Sequence, residues 1–205
     1  MIKVKICGIT NLKDALACVD AGADALGFVF YRKSSRYIEP GKAAAIIKKI
    51  GAPVVKVGIF VNAKEADIRK TAKACRLDML QFHGDESPEF CRRFKGLKVI
   101  KAFRLKGRIN KKEIAEYDTF AYLFDTFSKR KAGGTGRVFN WKFLSVPGKL
   151  KRPVFLSGGL TEKNVLKAIE CVRPKWVDAS SSVEKIKGKK DIEKVRRFIE
   201  KAKEG

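Results

Sequence analysis

The stretch Val54-Val55-Lys56-Val57-Gly58-Ile59-Phe60 decides the fold. A strand with one wet face alternates apolar and polar residues, whereas this run offers almost no polar face, and Phe120-Ala121-Tyr122-Leu123-Phe124 repeats the pattern. Strands of that kind belong to parallel sheets covered on both sides. Working outward, short apolar runs begin near Lys3 (KVKICG), Ala25 (ALGFVF), Val54 (VVKVGIF), Met79 (MLQFH), Lys98 (KVIKAF), Thr119 (TFAYLFD), Pro153 (PVFLS) and Trp176 (WVDAS).

Segments with helical spacing fill the gaps, at 12–21, 41–50, 63–75, 87–95, 110–117, 140–147, 161–171 and 191–203. Asn11, Ser87 with Pro88, Thr161 and Asp191 stand where N-caps belong. The order is strand then helix, eight times over, at about 25 residues per unit, which suits a strand, a helix and two short loops. This predicts an α/β fold, a minimal (β/α)8 TIM barrel forming one domain over residues 1–205. An open doubly wound sheet has the same alternation and stays possible at this point.

Composition narrows the function. The N-terminal Met1-Ile2-Lys3-Val4-Lys5-Ile6-Cys7-Gly8 lacks the features of a signal peptide. No stretch approaches the roughly 20 apolar residues of a membrane span, so a cytoplasmic protein without membrane contact is expected. Five widely spaced cysteines with no CxxC pair and a single histidine fit neither a disulfide framework nor a zinc site. The formal charge of +24 favours anionic partners. Because Lys and Arg are spread over almost every predicted helix, a solvated basic surface explains them better than a specific nucleic-acid face. One glutamine, Gln81, alongside 33% charged residues hints at a hot-adapted source.

In such a barrel the site lies at the carboxyl ends of the strands. Cys7 closes the first strand and Asp125 the sixth, a pair able to act as base and acid. Taken singly, a cysteine is as readily a small buried hydrophobe, and an aspartate after a strand is as readily a helix cap. Cys18, Cys75, Cys91 and Cys171 fall on helices and read as structural. Ser157-Gly158-Gly159 after the seventh strand and Ser180-Ser181-Ser182 after the eighth offer amides and hydroxyls for a phosphate, with Gly133-Gly134-Thr135-Gly136 as a third wall. Arg36, in the loop after the second strand, has the planar fork that grips a carboxylate, or is a solvated surface arginine. His83 suits a hydrogen-bonding place among the substrate-binding residues rather than metal ligation.

Together these segments resemble the phosphoribosylanthranilate isomerase family. The resemblance rests on Lys5-Ile6-Cys7-Gly8-Ile9-Thr10-Asn11, Ala23-Asp24-Ala25-Leu26-Gly27-Phe28-Val29-Phe30, Ser34-Ser35-Arg36-Tyr37-Ile38 and Gln81-Phe82-His83-Gly84. It continues through Phe124-Asp125-Thr126, Gly133-Gly134-Thr135-Gly136, Leu156-Ser157-Gly158-Gly159-Leu160 and Val177-Asp178-Ala179-Ser180-Ser181, in order along nearly the whole chain.

The resemblance implies a cofactor-free, metal-free isomerase of tryptophan biosynthesis acting on a phosphosugar by an Amadori rearrangement. Asp125 would be the general acid and Cys7 the general base. Arg36 would hold the substrate carboxylate, the loops carrying Gly134, Gly158, Gly159, Ser180 and Ser181 its phosphate, and Asp178 its ribose hydroxyls. An aspartate ionises at about pH 4 and needs an apolar surround to donate a proton. A thiol near about 8.5 needs amides or basic groups that favour thiolate. The family carries glycine after the paired serines where this chain has Ser182; were a positive φ required there, serine would cost about 1 kcal/mol. Another phosphate-binding barrel with different chemistry is the competing enzyme reading, and the chain is expected as a monomer or a homodimer.

Overall fold

Eight parallel strands follow one another around a closed sheet: β1 (Lys3–Cys7), β2 (Ala25–Val29), β3 (Val55–Phe60), β4 (Met79–Phe82), β5 (Lys98–Arg104), β6 (Ala121–Asp125), β7 (Val154–Ser157) and β8 (Trp176–Ala179). The structure, a computed structural model, describes residues 1–51, 53–105, 110–125, 141, 150 and 152–205. Closure is made by β1, whose Lys5 stands in register with Ala25 of β2 on one side and with Asp178 of β8 on the other. An open doubly wound sheet is thereby excluded. The largely apolar runs of β2, β3 and β6 follow from that geometry, since both faces of a closed parallel sheet are covered.

Alternation along each strand sorts the core into two layers. Val4, Ile6, Leu26, Phe28, Leu80 and Phe82 point outward into the helix layer, while Ala25, Val57, Met79, Ile100, Leu123 and Phe155 point inward. Near the lower, N-terminal end of the interior, Phe155 and Trp176 stack with ring centroids 4.8 Å apart. Truncating either to alanine should cost about 3–5 kcal/mol. Above this apolar floor the inward positions turn polar, with Lys5, Gln81 and Asp178 all buried.

The described helices are α1 (Leu12–Asp20), α2 (Pro40–Lys49), α3 (Glu65–Ala74), α4 (Pro88–Arg92), α5 (Lys111–Ala115), α6 (Val165–Val172) and α7 (Ile192–Lys203). Asn11, Ser87 and Asp191 cap α1, α4 and α7, each accepting a backbone N–H bond at 2.8–3.2 Å. α7 buries Val195, Phe198, Ile199 and Ala202, a stripe at helical spacing. The expected helix at 140–147 and the loop Gly133-Gly134-Thr135-Gly136 lie outside the described residues. Among the described residues no helix is long and apolar enough to cross a membrane.

Two differences from the sequence reading matter. α6 begins at Val165 rather than 161, because Asn164 accepts the Thr161 N–H (2.8 Å) and donates to the Gly159 carbonyl (3.0 Å), holding residues 161–163 as a turn. After β8 the chain forms a short antiparallel hairpin, β9 (Glu184–Ile186) with β10 (Lys189–Lys190), turning at Gly188 with φ +79°. No element is expected from sequence in this Lys-rich stretch, and within it Glu184 and Lys190 are buried against the barrel mouth.

Candidate active site

The thiol of Cys7 ends β1 on the inner face of the barrel, 8% exposed. Space for it comes from Gly27 on the neighbouring strand, where a Cβ would stand 2.8 Å from the sulfur. Lys5 lies two residues earlier on the same face, is fully buried, and donates to Asp178 Oδ1 at 2.8 Å. The second oxygen of Asp178 accepts from Ser157 Oγ at 3.1 Å. From the hairpin, Lys190 Nζ donates to the Cys7 carbonyl (2.6 Å), the Ser180 carbonyl (3.1 Å) and Glu184 Oε1 (3.3 Å).

Burial pushes the Cys7 thiol above its ordinary range, opposed by the charges of Lys5 and Lys190 and reinforced by that of Asp178. The basic groups expected to favour thiolate are therefore present, but desolvation outweighs them in the unliganded chain. Cys18, buried on α1, is pushed up to about 12 by desolvation, and Cys91 to about 11. Those two sit in the helix layer, as cysteines that pack rather than react.

Across the mouth, Asp125 ends β6 with its base in the buried run Ala121-Tyr122-Leu123-Phe124. Its Oδ2 lies 3.3 Å from His83 Nε2, and both side chains keep about a fifth of their surface open, at 22% and 19%. His83 Nδ1 is 2.8 Å from Gln81 Nε2, and Arg104 Nη2 donates to the His83 carbonyl at 3.1 Å. If the amide nitrogen donates as placed, His83 presents Nε2–H to the carboxylate. The loop after His83 is propped by a buried ion pair, Lys101 to Glu86 at 2.8 Å, with Glu86 also accepting from the Asn62 and Gly84 amides.

Arg36 is held by Glu184 in a two-point pair, Nε to Oε1 and Nη2 to Oε2, both at 2.7 Å. Gly8 makes room for it, since a Cβ there would meet Arg36 Cδ at 2.5 Å, and its φ of +82° suits glycine. Gly158 and Gly159 take successive positive φ values of +93° and +69°, turning the backbone after β7. Ser180 donates to the Cys7 carbonyl at 3.1 Å, while Ser181 and Ser182 open a 3-10 turn at Ser181–Val183. Ser182 is not among the positive-φ residues, so the strain expected for a serine there is absent. Gly134 lies outside the described residues. No group of three or more His, Cys, Asp or Glu able to hold a metal occurs among the described residues.

All the described residues singled out from sequence thus meet at the carboxyl end of the barrel. Three that were not singled out join them: Lys5, Glu184 and Lys190. Lys5 carried a legible signal, because a residue two before Cys7 in a strand must share its face. Glu184 and Lys190 carried none, since only the folded hairpin brings them in.

Comparison with known proteins agrees with this geometry. Residues 4–201 match the family described as N-(5'-phosphoribosyl)anthranilate (PRA) isomerase. The chain is 48% identical over 203 residues to N-(5'-phosphoribosyl)anthranilate isomerase of Geobacter sulfurreducens, covering 99% of each. It superposes on phosphoribosyl anthranilate isomerase from Thermotoga maritima with a TM-score of 0.90 at 42% identity, over 100% of both chains. A phosphoribosyl anthranilate isomerase in complex with reduced 1-(o-carboxyphenylamino)-1-deoxyribulose 5-phosphate superposes with a TM-score of 0.85 at 40% identity, again over both full chains. The chain is an isomerase and belongs to the N-(5'-phosphoribosyl)anthranilate isomerase family.

Proposed function

We propose that this chain converts N-(5-phosphoribosyl)anthranilate to 1-(2-carboxyphenylamino)-1-deoxyribulose 5-phosphate, with Asp125 as general acid and Cys7 as general base. The observation that carries the reading is the divided mouth, with a carboxyl beside an imidazole ending β6 and a thiol among ammonium groups ending β1. Asp125 gives its proton to the furanose ring oxygen, the C1–O bond breaks, and the ring opens to a protonated imine. The Cys7 thiolate then removes the C2 proton, and the released electron pair forms the C1=C2 bond of an enolamine while nitrogen becomes neutral. Tautomerisation adds a proton at C1 and removes the hydroxyl proton at C2, leaving the ketone. Each positioned proton transfer contributes about 10² to 10⁴ in rate. The rearrangement is redox-neutral overall, so it calls for no electron-carrying cofactor.

Arg36 takes the anthranilate carboxylate on its Nη1/Nη2 end, since its Nε/Nη2 edge is held by Glu184. Gly158, Gly159, Ser180 and Ser181, with Gly134 as a third wall, hold the phosphate; the paired positive φ values turn consecutive amides, a geometry that suits anions. Asp178 lies beside the ribose hydroxyls and His83 beside the acid. Five cysteines, none in a disulfide, suit the reducing cytoplasm.

The test is the fluorescence of N-(5-phosphoribosyl)anthranilate, generated in situ from anthranilate and phosphoribosyl pyrophosphate by the preceding enzyme. Loss of signal accelerated by the purified chain is expected. A decay rate unchanged by the chain across pH and temperature would refute the assignment.

A further inference from the structure

Lys5 is a lysine with 0% exposure in an apolar strand. Removing an ammonium from water costs several kcal/mol, and an apolar residue of similar volume commonly replaces a buried ion pair without loss of stability. The pair with Asp178 at 2.8 Å makes the burial tolerable but gives no reason to have it. The reason lies one position up the strand face: Cys7 ends the same strand on the same inner side, and the Lys5 charge acts on its thiol. By contrast Cys75, a buried thiol on the helix layer, donates to a backbone carbonyl, that of Pro40, at 3.4 Å.

The charges that face Cys7 come from every element around it. Lys5 reaches it from β1, Asp178 from β8, Lys190 from β10, and Arg36 from the loop after β2. Glu184 of β9 stands behind, paired with both Lys190 and Arg36. Three cations thus stand with two carboxylates, and a third carboxylate, Asp14 of α1, accepts from the Lys190 backbone N–H at 2.8 Å behind them. Lys5 is the cation that shares strand and face with the sulfur, so its charge is the one placed to balance a thiolate formed there.

We propose that Lys5 is the positioning residue of the base: its buried ammonium, anchored by Asp178, orients Cys7 Sγ and balances the thiolate that takes up the C2 proton. The inference rests on the reading of Cys7 as general base. The thiol loses its proton to solvent, and the S–H bond re-forms with the proton from C2. Throughout, Lys5 keeps its own proton, since the attraction of Asp178 and Cys7 holds its ammonium above the ordinary lysine range despite burial.

The experiment measures the pH dependence of iodoacetamide alkylation at Cys7 by peptide mass spectrometry on the full folded chain. Wild type, Lys5→Met, Lys5→Arg, Asp178→Asn and the double variant Lys5→Met/Asp178→Asn are compared. The Cys7 midpoint should rise by at least about one pH unit in Lys5→Met and return toward wild type in Lys5→Arg, while that of Cys171 stays put. The rising limb of kcat/KM against pH, which reports the base, should move with it. If Lys5→Met does not fold, the double variant is read instead, because it leaves neither charge alone in the interior. An unmoved Cys7 midpoint in folded Lys5→Met, or in the double variant compared with Asp178→Asn alone, overturns the proposal. Alkylation needs no turnover, so a wild type inert toward the phosphoribosyl substrate would sink the isomerase reading separately.

Discussion

The two sides of the barrel mouth solve opposite problems. On the side of β1 and β8, Cys7 sits among Lys5, Asp178, Lys190 and Glu184, each below a tenth exposed. On the side of β4 and β6, His83 and Asp125 each keep about a fifth of their surface open to water. A thiol is neutral at rest and has to become an anion, so burial alone works against it and buried cations offset that penalty. A carboxyl serving as acid has to regain a proton in every cycle, which contact with water allows. The comparison teaches that one strand end can be dry and charged and another wet within a single mouth, because closure of the sheet buries whatever lies deep on the inner face.

The sharpest way to break the comparison is to remove the two groups proposed as acid and base. Cys7→Ala and Asp125→Asn should each lower kcat by about 10² to 10⁴ with the circular dichroism spectrum unchanged. Near-wild-type turnover in either would take that residue out of its role. Because the folded-state thiol is pushed up, its basic form is lost as pH falls, so kcat/KM of the wild type should climb into the alkaline range. A profile already flat below neutrality would mean that a group other than Cys7 is the base.

A smaller effect tests the scaffold on the wet side. Lys101→Met leaves Glu86 buried without its ion partner and should destabilise the chain by about 3–5 kcal/mol in thermal melts. Adding Glu86→Gln should recover part of that loss, and failure to recover any would mean that Lys101 acts through packing on Tyr117 instead.

On the dry side, Glu184→Gln weakens the two-point hold on Arg36 and should raise KM about tenfold with kcat little changed. The same variant has a stability signature. In the folded chain the Glu184 carboxyl is held below its ordinary range by Arg36 and Lys190, against the opposing effect of burial. Its contribution is therefore complete above the unfolded value of about 4.5 and fades as pH falls through the depressed folded value. Stability of Glu184→Gln should accordingly depend less on acid than that of wild type, and parallel acid melts would contradict the pairing. The smallest effect serves as a control: the exposed pair Glu193–Arg196 on α7 is worth about 0.2–0.5 kcal/mol, so Arg196→Gln should barely move Tm.

Much of this site was legible before any coordinates. Cys7, His83, Asp125 and Asp178 were found because strand ends in a barrel face the site and the runs before them mark where those strands stop. Arg36 was found as a fork able to bind a carboxylate, but not that a carboxylate of the chain itself already holds one edge. The strain anticipated at Ser182 is absent because the residue opens a 3-10 turn without a positive φ.

The sequence by itself determined the strand and helix order, the caps at Asn11, Ser87 and Asp191, and the inward face shared by Lys5 and Cys7. These are local matters, set by periodicity along a few residues. Tertiary structure alone decided that β1 meets β8, that Lys5 finds Asp178 across that seam, and that a Lys-rich hairpin folds Glu184 and Lys190 under the mouth. Pairings between residues more than a hundred positions apart leave no periodic trace in the chain, and the burial of a charge depends on the partner that the closed barrel brings to it.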